Sequence, residues 1–412
     1  VGRGHTPSRA PARLNGPHAP DNDVPLPRRH RHHGPRARAG PHDGRPGHRR
    51  QALRLDDRHD RQARPRPLPP HRHGQGQGAQ TIKTACLTDL TTAGTIRTGH
   101  TNPADWPGLH ATGTTSPTGV PGIQVDGYFP DTSPTNTNNG WQHDSQFVLR
   151  IPDAWNGKLV VSGAPGNRAQ YANDVILSDW VLAQGYAFAS TDKGNVGLDF
   201  WGDGSTPGGS VREWNHRVTQ LTEAAQDTIR RVRAGQVQRT YMAGISNGGY
   251  LVRWQLENRP DLYDGGLDWE GVLFRADGPN LLTYLPTALK NDPTYAAGGP
   301  GAQAAHDAMI AAVHDAIRSV ELTGRLDKPL ISLQGDTDTL LPIATDQDVY
   351  AALVADTGRG GAHAAYRIEG GTHTDGFAAI FPDRLADAAV CADRVQRADR
   401  LGGEGHRTPG RG

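Results

Sequence analysis

Residues 239–265 read RTYMAGISNGGYLVRWQLENRPDLYDG, and the fold turns on how Ser246 within them is read. Before it, Thr240, Tyr241, Met242 and Ala243 make a short, largely apolar run suited to a buried strand. After it, Tyr250, Leu251, Val252, Trp254 and Leu256 recur at helical spacing and stop ahead of Pro260. The five residues Gly244-Ile245-Ser246-Asn247-Gly248 spell G-x-S-x-G between that strand and that helix, the pattern of a nucleophile elbow. Such a turn strains the backbone and brings strand and helix close together, so it calls for neighbours without a Cβ. With 52 glycines in 412 residues, the pattern alone also fits a serine in an ordinary glycine-rich loop.

What separates the two readings stands downstream. A serine hydroxyl is a weak nucleophile unless a base takes its proton and an acid orients that base. After the strand-like run PLISL (329–333) comes Gln334-Gly335-Asp336-Thr337-Asp338, followed by Thr339-Leu340-Leu341-Pro342. After AYRI (365–368) comes Glu369-Gly370-Gly371-Thr372-His373. Alone, His373 would be a solvated loop histidine, and Asp336 and Asp338 would be turn formers. Serine, aspartate and histidine in this order, each just past a strand, are the arrangement of a catalytic triad on an α/β sheet. His373 is then the general base and afterwards the acid, and Asp338 holds its imidazole. Asp338 is preferred to Asp336 because it lies three residues after Gly335 and four before Pro342. Acyl transfer also needs donors for the developing oxyanion. The Asn247 N–H is one; the second is expected from SGAPGN (162–167), which offers Gly163, Ala164 and Gly166 because Pro165 has no N–H. Ala164 is the preferred residue. No metal site is expected, because neither cysteine sits in a close Cys or Cys/His cluster.

The rest of the chain supplies the scaffold. SQFVLRIP, KLVVSG, YAFAST, TYMAGI, EGVLF, KPLISLQG and HAAYRIEG read as strands. VILSDWVLAQG and EWNHRVTQLTEAAQDTIRRVRAG read as helices closed by Gly185 and Gly235. Strands alternating with helices call for a mostly parallel sheet covered on both faces, with reactive groups at the carboxyl ends of the strands. Residues 81–395 are expected to form this α/β catalytic domain. Its start, to about Asn139, reads as irregular, with a short strand at GIQVDGYF. Residues 275–326 are too long for a simple connection. Ala302, Ala305, Met309, Ile310, Val313, Ile317 and Val320 form one helical face there, either a lid or a sheet-covering helix.

Residues 1–80 hold 17 Arg, 10 His and 6 Asp, and no Lys, Glu, Ile, Phe, Tyr, Trp, Met or Cys. Their charge of +11 leaves −10 for residues 81–412 within a chain total of +1. So little apolar surface cannot offset ordering entropy, and the segment is expected to be disordered, as is the tail 396–412. Without lysines or interleaved aromatics it makes a poor nucleic-acid arm, and no nucleic-acid partner is expected. The run RRHRHHGPRARAGPHDGRPGHRR (28–50) also reads as GC-rich DNA translated in a wrong frame or from a misplaced start. No stretch of 18 apolar residues and no signal peptide is visible, so no membrane span is expected. Cys86 and Cys391 stand at the two edges of the globular part, either bridged or as two free thiols.

RIPDAWNGKLVVSG, GISNGG and RPDLYDGGLDWEGVLF resemble the entrance to the oxyanion loop, the elbow and the following strand of the α/β-hydrolase superfamily. More narrowly they resemble its secreted tannase and feruloyl esterase-like members, over roughly residues 81–395. GISNGG is also similar to the serine motif of secreted 3-hydroxybutyrate oligomer hydrolases. The resemblance implies a secreted, cofactor-free enzyme hydrolysing small-molecule or oligomeric carboxylic esters. Tannase-like enzymes carry bridged cysteines beside the serine and the histidine; here Ile245 and Thr374 stand in those places.

Overall fold

In the computed structural model, strand β6 (Arg239–Ile245) lies in the middle of a nine-stranded sheet and delivers Ser246 at its carboxyl end. The structure describes residues 78–130, 145–194, 211–276, 298, 311, 314–315 and 317–379. The other strands are β1 (Gln80–Leu87), β2 (Gly122–Phe129), β3 (Ser145–Pro152), β4 (Lys158–Gly163), β5 (Ala187–Thr191), β7 (Gly265–Trp269), β8 (Leu330–Gly335) and β9 (His363–Ile368). Their order is β1-β2-β3-β5-β4-β6-β7-β8-β9. The first three contacts, β1 with β2, β2 with β3 and β3 with β5, are antiparallel, and the remaining five are parallel.

Alternation along the strands builds a core on each face. Leu159 and Val161 of β4 point to one side, where helix α3 (Val211–Arg233) packs Trp214, Val218, Leu221, Ala225 and Ile229. That spacing of three and four places the five on one helical stripe. Helix α4 (Asn247–Asn258) adds Leu251, Val252 and Leu256, and α5 (Gln347–Asp356) adds Tyr350 and Val354. Val160 of β4, Phe188 of β5 and Tyr241, Ala243 and Ile245 of β6 face the other side. There a π-helical turn (Asp174–Ser178) running into α2 (Asp179–Ala183) covers them with Ile176, Leu177, Val181 and Leu182. Each such burial contributes about 1.5–3 kcal/mol relative to exposure. This strand order, with helices on both faces and a serine elbow on a central strand, is the α/β-hydrolase fold.

Four expectations change. The strand expected at GIQVDGYF is β2, but the start of the domain is less irregular than expected: β1 pairs with β2 to extend the sheet as an antiparallel edge, and α1 (Thr92–Thr98) lies between them in the chain. Because β1 begins at Gln80, paired with Tyr128, the boundary expected after residue 80 cuts into a strand. The strand expected at EGVLF is instead GGLDW, β7. A Cβ on Gly266 would stand 2.6 Å from Val252 Cγ1, so a glycine that looks like loop is what lets α4 lie on the sheet. Val272, Leu273 and Phe274 are buried without being a strand. Finally, α3 ends at Arg233, and the left-handed residue that follows is Ala234 (φ 49°) rather than Gly235.

Most of 275–326 lies outside the described residues, so a lid there is neither seen nor replaced. Its last part covers the sheet: Ile317, Val320, Leu322 and Leu326 join the core of α3 and α4. Residues 1–77 and 380–412 also lie outside, and Cys391 with them; Cys86 is exposed on β1. No described helix is long and apolar enough to cross a membrane.

Candidate active site

Ser246 has φ 58° and ψ −121°, a backbone conformation that L side chains rarely adopt. Neighbouring chain over-determines it. The Ser246 N–H donates to Trp269 O at 3.0 Å, and its carbonyl accepts from Tyr250 N at 3.1 Å and Val272 N at 3.3 Å. The two motif glycines have separate steric reasons. A Cβ on Gly244 would meet Gly248 O at 2.5 Å, and one on Gly248 would meet Gly163 O at 2.6 Å. The second contact presses the start of α4 against the end of β4.

Two loops at the carboxyl ends of β8 and β9 bring in the partners. They touch through Thr337, whose N–H donates to Gly371 O at 3.0 Å, and through the Gly370 N–H, which donates to Asp336 Oδ1 at 2.8 Å. Asp336 thus braces the loop pair from the solvent side. Asp338 turns inward: its Oδ1 accepts from Leu340 N at 2.8 Å and Leu341 N at 2.9 Å. Its Oδ2 lies 2.8 Å from His373 Nδ1. His373 Nε2 lies 3.1 Å from Ser246 Oγ. Asp338 and His373 are 4% and 7% exposed, so the contacts sit in a largely dry pocket. A carboxylate at Nδ1 keeps the proton on that nitrogen and leaves the Nε2 lone pair toward the serine hydroxyl. Burial pushes the Asp338 carboxyl up. The His373 hydrogen bond and charge, the Leu341 N–H and the Glu270 carboxyl outweigh it and hold Asp338 below the ordinary range. The expected Ser246, Asp338 and His373 are therefore brought together, and Asp336 faces elsewhere.

Of the expected oxyanion donors, Asn247 stands at the first position of α4, where the N–H groups of a helix have no intrahelical acceptor. Ala164 does not fit its expected role. Its N–H continues the parallel ladder and donates to Thr191 O at 3.0 Å. A second donor has to come from farther along the turn, which closes with Arg168 N donating to Pro165 O at 3.1 Å.

Two residues at the centre escaped the reading of the sequence. Glu270 directly follows β7, is fully buried with φ 50°, and accepts from Gly335 N at 2.5 Å. Its carboxyl hydrogen-bonds Asp338 and is one of the contacts that hold that carboxylate low. Lys193 follows β5 and is fully buried too. The signal was present in both: a charged residue at the carboxyl end of an apolar strand, the rule that located Asp338 and His373. Glu270, Asp338 and His373 bring ligand atoms within 4.8 Å of one another, the one such group among the described residues. The 2.8 Å contact between His373 and Asp338 is a direct hydrogen bond, so this arrangement suits holding a proton more than a cation.

No protein-family profile matches the chain, and no curated protein matches it. Among solved structures it is similar to feruloyl esterase B from Aspergillus oryzae, at 10% identity and TM-score 0.45, covering 72% of this chain and 80% of that one. It is similar to the rice cell wall degrading esterase LipA from Xanthomonas oryzae, at 13% identity and TM-score 0.48, covering 79% and 99%. Est1E from Butyrivibrio proteoclasticus is a third, at 13% identity and TM-score 0.37, covering 64% and 96%.

Proposed function

We propose that this chain is a serine hydrolase that cleaves carboxylic esters through an acyl-enzyme. His373 Nε2 takes the Ser246 proton as Oγ attacks the ester carbonyl, and Asp338 stabilises the imidazolium that forms. The tetrahedral oxyanion is held by the Asn247 N–H and a donor from the turn after β4. His373 then protonates the leaving alcohol, and a water deprotonated by the same imidazole releases the acid. The observation that carries this reading is the continuous contact from Ser246 Oγ through His373 to Asp338, with the serine on a strained elbow. Ester rather than amide chemistry comes from the resemblance at 150–163, 244–249 and 259–274, as does secretion of the enzyme. The same resemblance names two substrate classes: aromatic-acid esters and oligomers of 3-hydroxyacids.

The test is hydrolysis of p-nitrophenyl esters of graded acyl length, of methyl ferulate, and of 3-hydroxybutyrate dimers and trimers. A fluorophosphonate should label Ser246. A pure, folded protein that hydrolyses none of these and takes no label would end the proposal.

A further inference from the structure

We propose that Lys193 is a positioning residue for the oxyanion-binding turn, its ammonium fixing the turn after β4 against the nucleophile. Lys193 Nζ donates to Ala164 O at 2.5 Å and to Gly166 O at 3.2 Å. The inference rests on the ester-hydrolase reading and adds a residue to it.

The placement is costly, and the cost is informative. Lys193 has φ 70°, unfavourable for a side-chain-bearing residue, and it is fully buried. Burial pushes its ammonium down to about 7, with Asp192 next to it working in the opposite direction. Lysine is rarely buried completely, because the ammonium gives up its hydration. The side chain runs inward past Gly163, where a Cβ would meet Lys193 Cδ at 3.4 Å, and the ammonium lies 5.1 Å from the Trp214 ring centre. It ends on backbone carbonyls of the one segment from which the second oxyanion donor must come.

Those carbonyls matter because a peptide unit is planar: holding the Gly166 C=O fixes the direction of the Asn167 N–H. Asn247 Nδ2 donates to the same Gly166 carbonyl at 3.4 Å. Lys193 from below and the residue beside the nucleophile thus meet on one oxygen. Thr191 O, two residues before Lys193, takes the Ala164 N–H at 3.0 Å. The end of β5 therefore sets the turn at three points, two of them through one ammonium. Oxyanion donors act by being preorganised, and displacements of about 0.5 Å are enough to weaken them.

The experiment uses the full chain with Lys193→Met, which keeps the apolar stem and removes the charge. Activity toward a p-nitrophenyl ester is measured together with inhibition by butylboronic acid, a probe that forms a tetrahedral adduct on the serine. The expected result is a fall in kcat of about 10–100-fold, below the full loss of an oxyanion donor. Boronate affinity should fall by a similar factor, with KM within about twofold and circular dichroism unchanged. A purely structural lysine would lower folded protein and leave the remaining enzyme with normal boronate affinity; that outcome overturns the proposal. Should Lys193→Met fail to fold, Lys193→Gln, which keeps a donor, takes its place. It is expected to lose less than tenfold in the folded fraction, and a complete loss with normal boronate affinity also overturns the proposal. Wild-type kinetics in a folded variant refute Lys193 alone. A wild-type chain inactive on every ester refutes the ester-hydrolase reading instead.

Discussion

Replacing Asp338 by Asn changes one atom and should nearly silence the enzyme. Oδ1 accepts two backbone N–H groups, from Leu340 and Leu341, so the amide oxygen of Asn must occupy that place. The amide nitrogen then faces His373 Nδ1, 2.8 Å away, as a donor. The ring answers by presenting its Nδ1 lone pair and moving its proton to Nε2, which faces Ser246 Oγ at 3.1 Å. A protonated Nε2 cannot take the serine proton. The same change in a serine protease triad costs about 10⁴ in kcat, and the geometry here gives the same cause. That factor corresponds to about 5.5 kcal/mol of barrier. The assay is steady-state hydrolysis of a p-nitrophenyl ester at neutral pH, with Asp336→Asn beside it. Asp336 braces Gly370 N from an exposed position, so its variant should stay within about threefold, as surface changes usually do. Asp338→Asn within tenfold of wild type, or below Asp336→Asn in effect, would refute the assignment of the acid.

Ser246→Ala should abolish turnover with the fold intact, while Ser246→Gly should abolish it and also raise the Tm. The positive φ at that position stores about 1–3 kcal/mol that glycine relieves, so equal melting temperatures would contradict the strain. Gly248→Ala places a Cβ 2.6 Å from Gly163 O and should destabilise by about 1–3 kcal/mol in a denaturant titration, with activity falling further. Burial first of all pushes Asp179 up to about 7, from an ordinary 3.8. Its raised folded value adds stability that is complete below pH 4 and lost as pH rises through 7. Asp179→Asn should therefore melt above wild type at pH 8, with the gap narrowing as pH falls and closing only below about pH 4; a gap independent of pH would remove that carboxyl from the balance. Deleting residues 1–77 should leave ester hydrolysis unchanged, whereas a cut after residue 83 removes half of β1 and should lower the Tm.

The serine, the acid and the histidine were legible because each pairs a residue type with a position just after an apolar run. So were the strands built on a run of three adjacent apolar residues, such as KLVVSG and SQFVLRIP. β1 was not: QTIKTACL lies at an edge, mostly exposed, and carries polar residues that a buried strand would exclude. β7 was misplaced because glycines usually signal loops, and the reason for Gly266 is its contact with α4 in the folded protein. Ala164 failed for a related reason. Which N–H a turn leaves free depends on where the parallel ladder stops, and that is settled by β5, a strand distant in sequence. Glu270 and Lys193 stand at strand ends, the position that located Asp338 and His373, but their complete burial is set by the folded chain around them.

Trp269 and Leu333 are partners in adjacent strands, yet the chain travels from Trp269 to Leu330 between them through 60 residues. The closure entropy of such an excursion grows only with the logarithm of its length. Its two ends are tied in, Val272 and Glu270 to Ser246 and Asp338, and Ile317, Val320, Leu322 and Leu326 to the core. Descendants of this protein could therefore lengthen, shorten or exchange the stretch between Ala276 and Ile317 while the proton-transfer geometry stays in place, and new ester specificities become reachable without reinventing the chemistry.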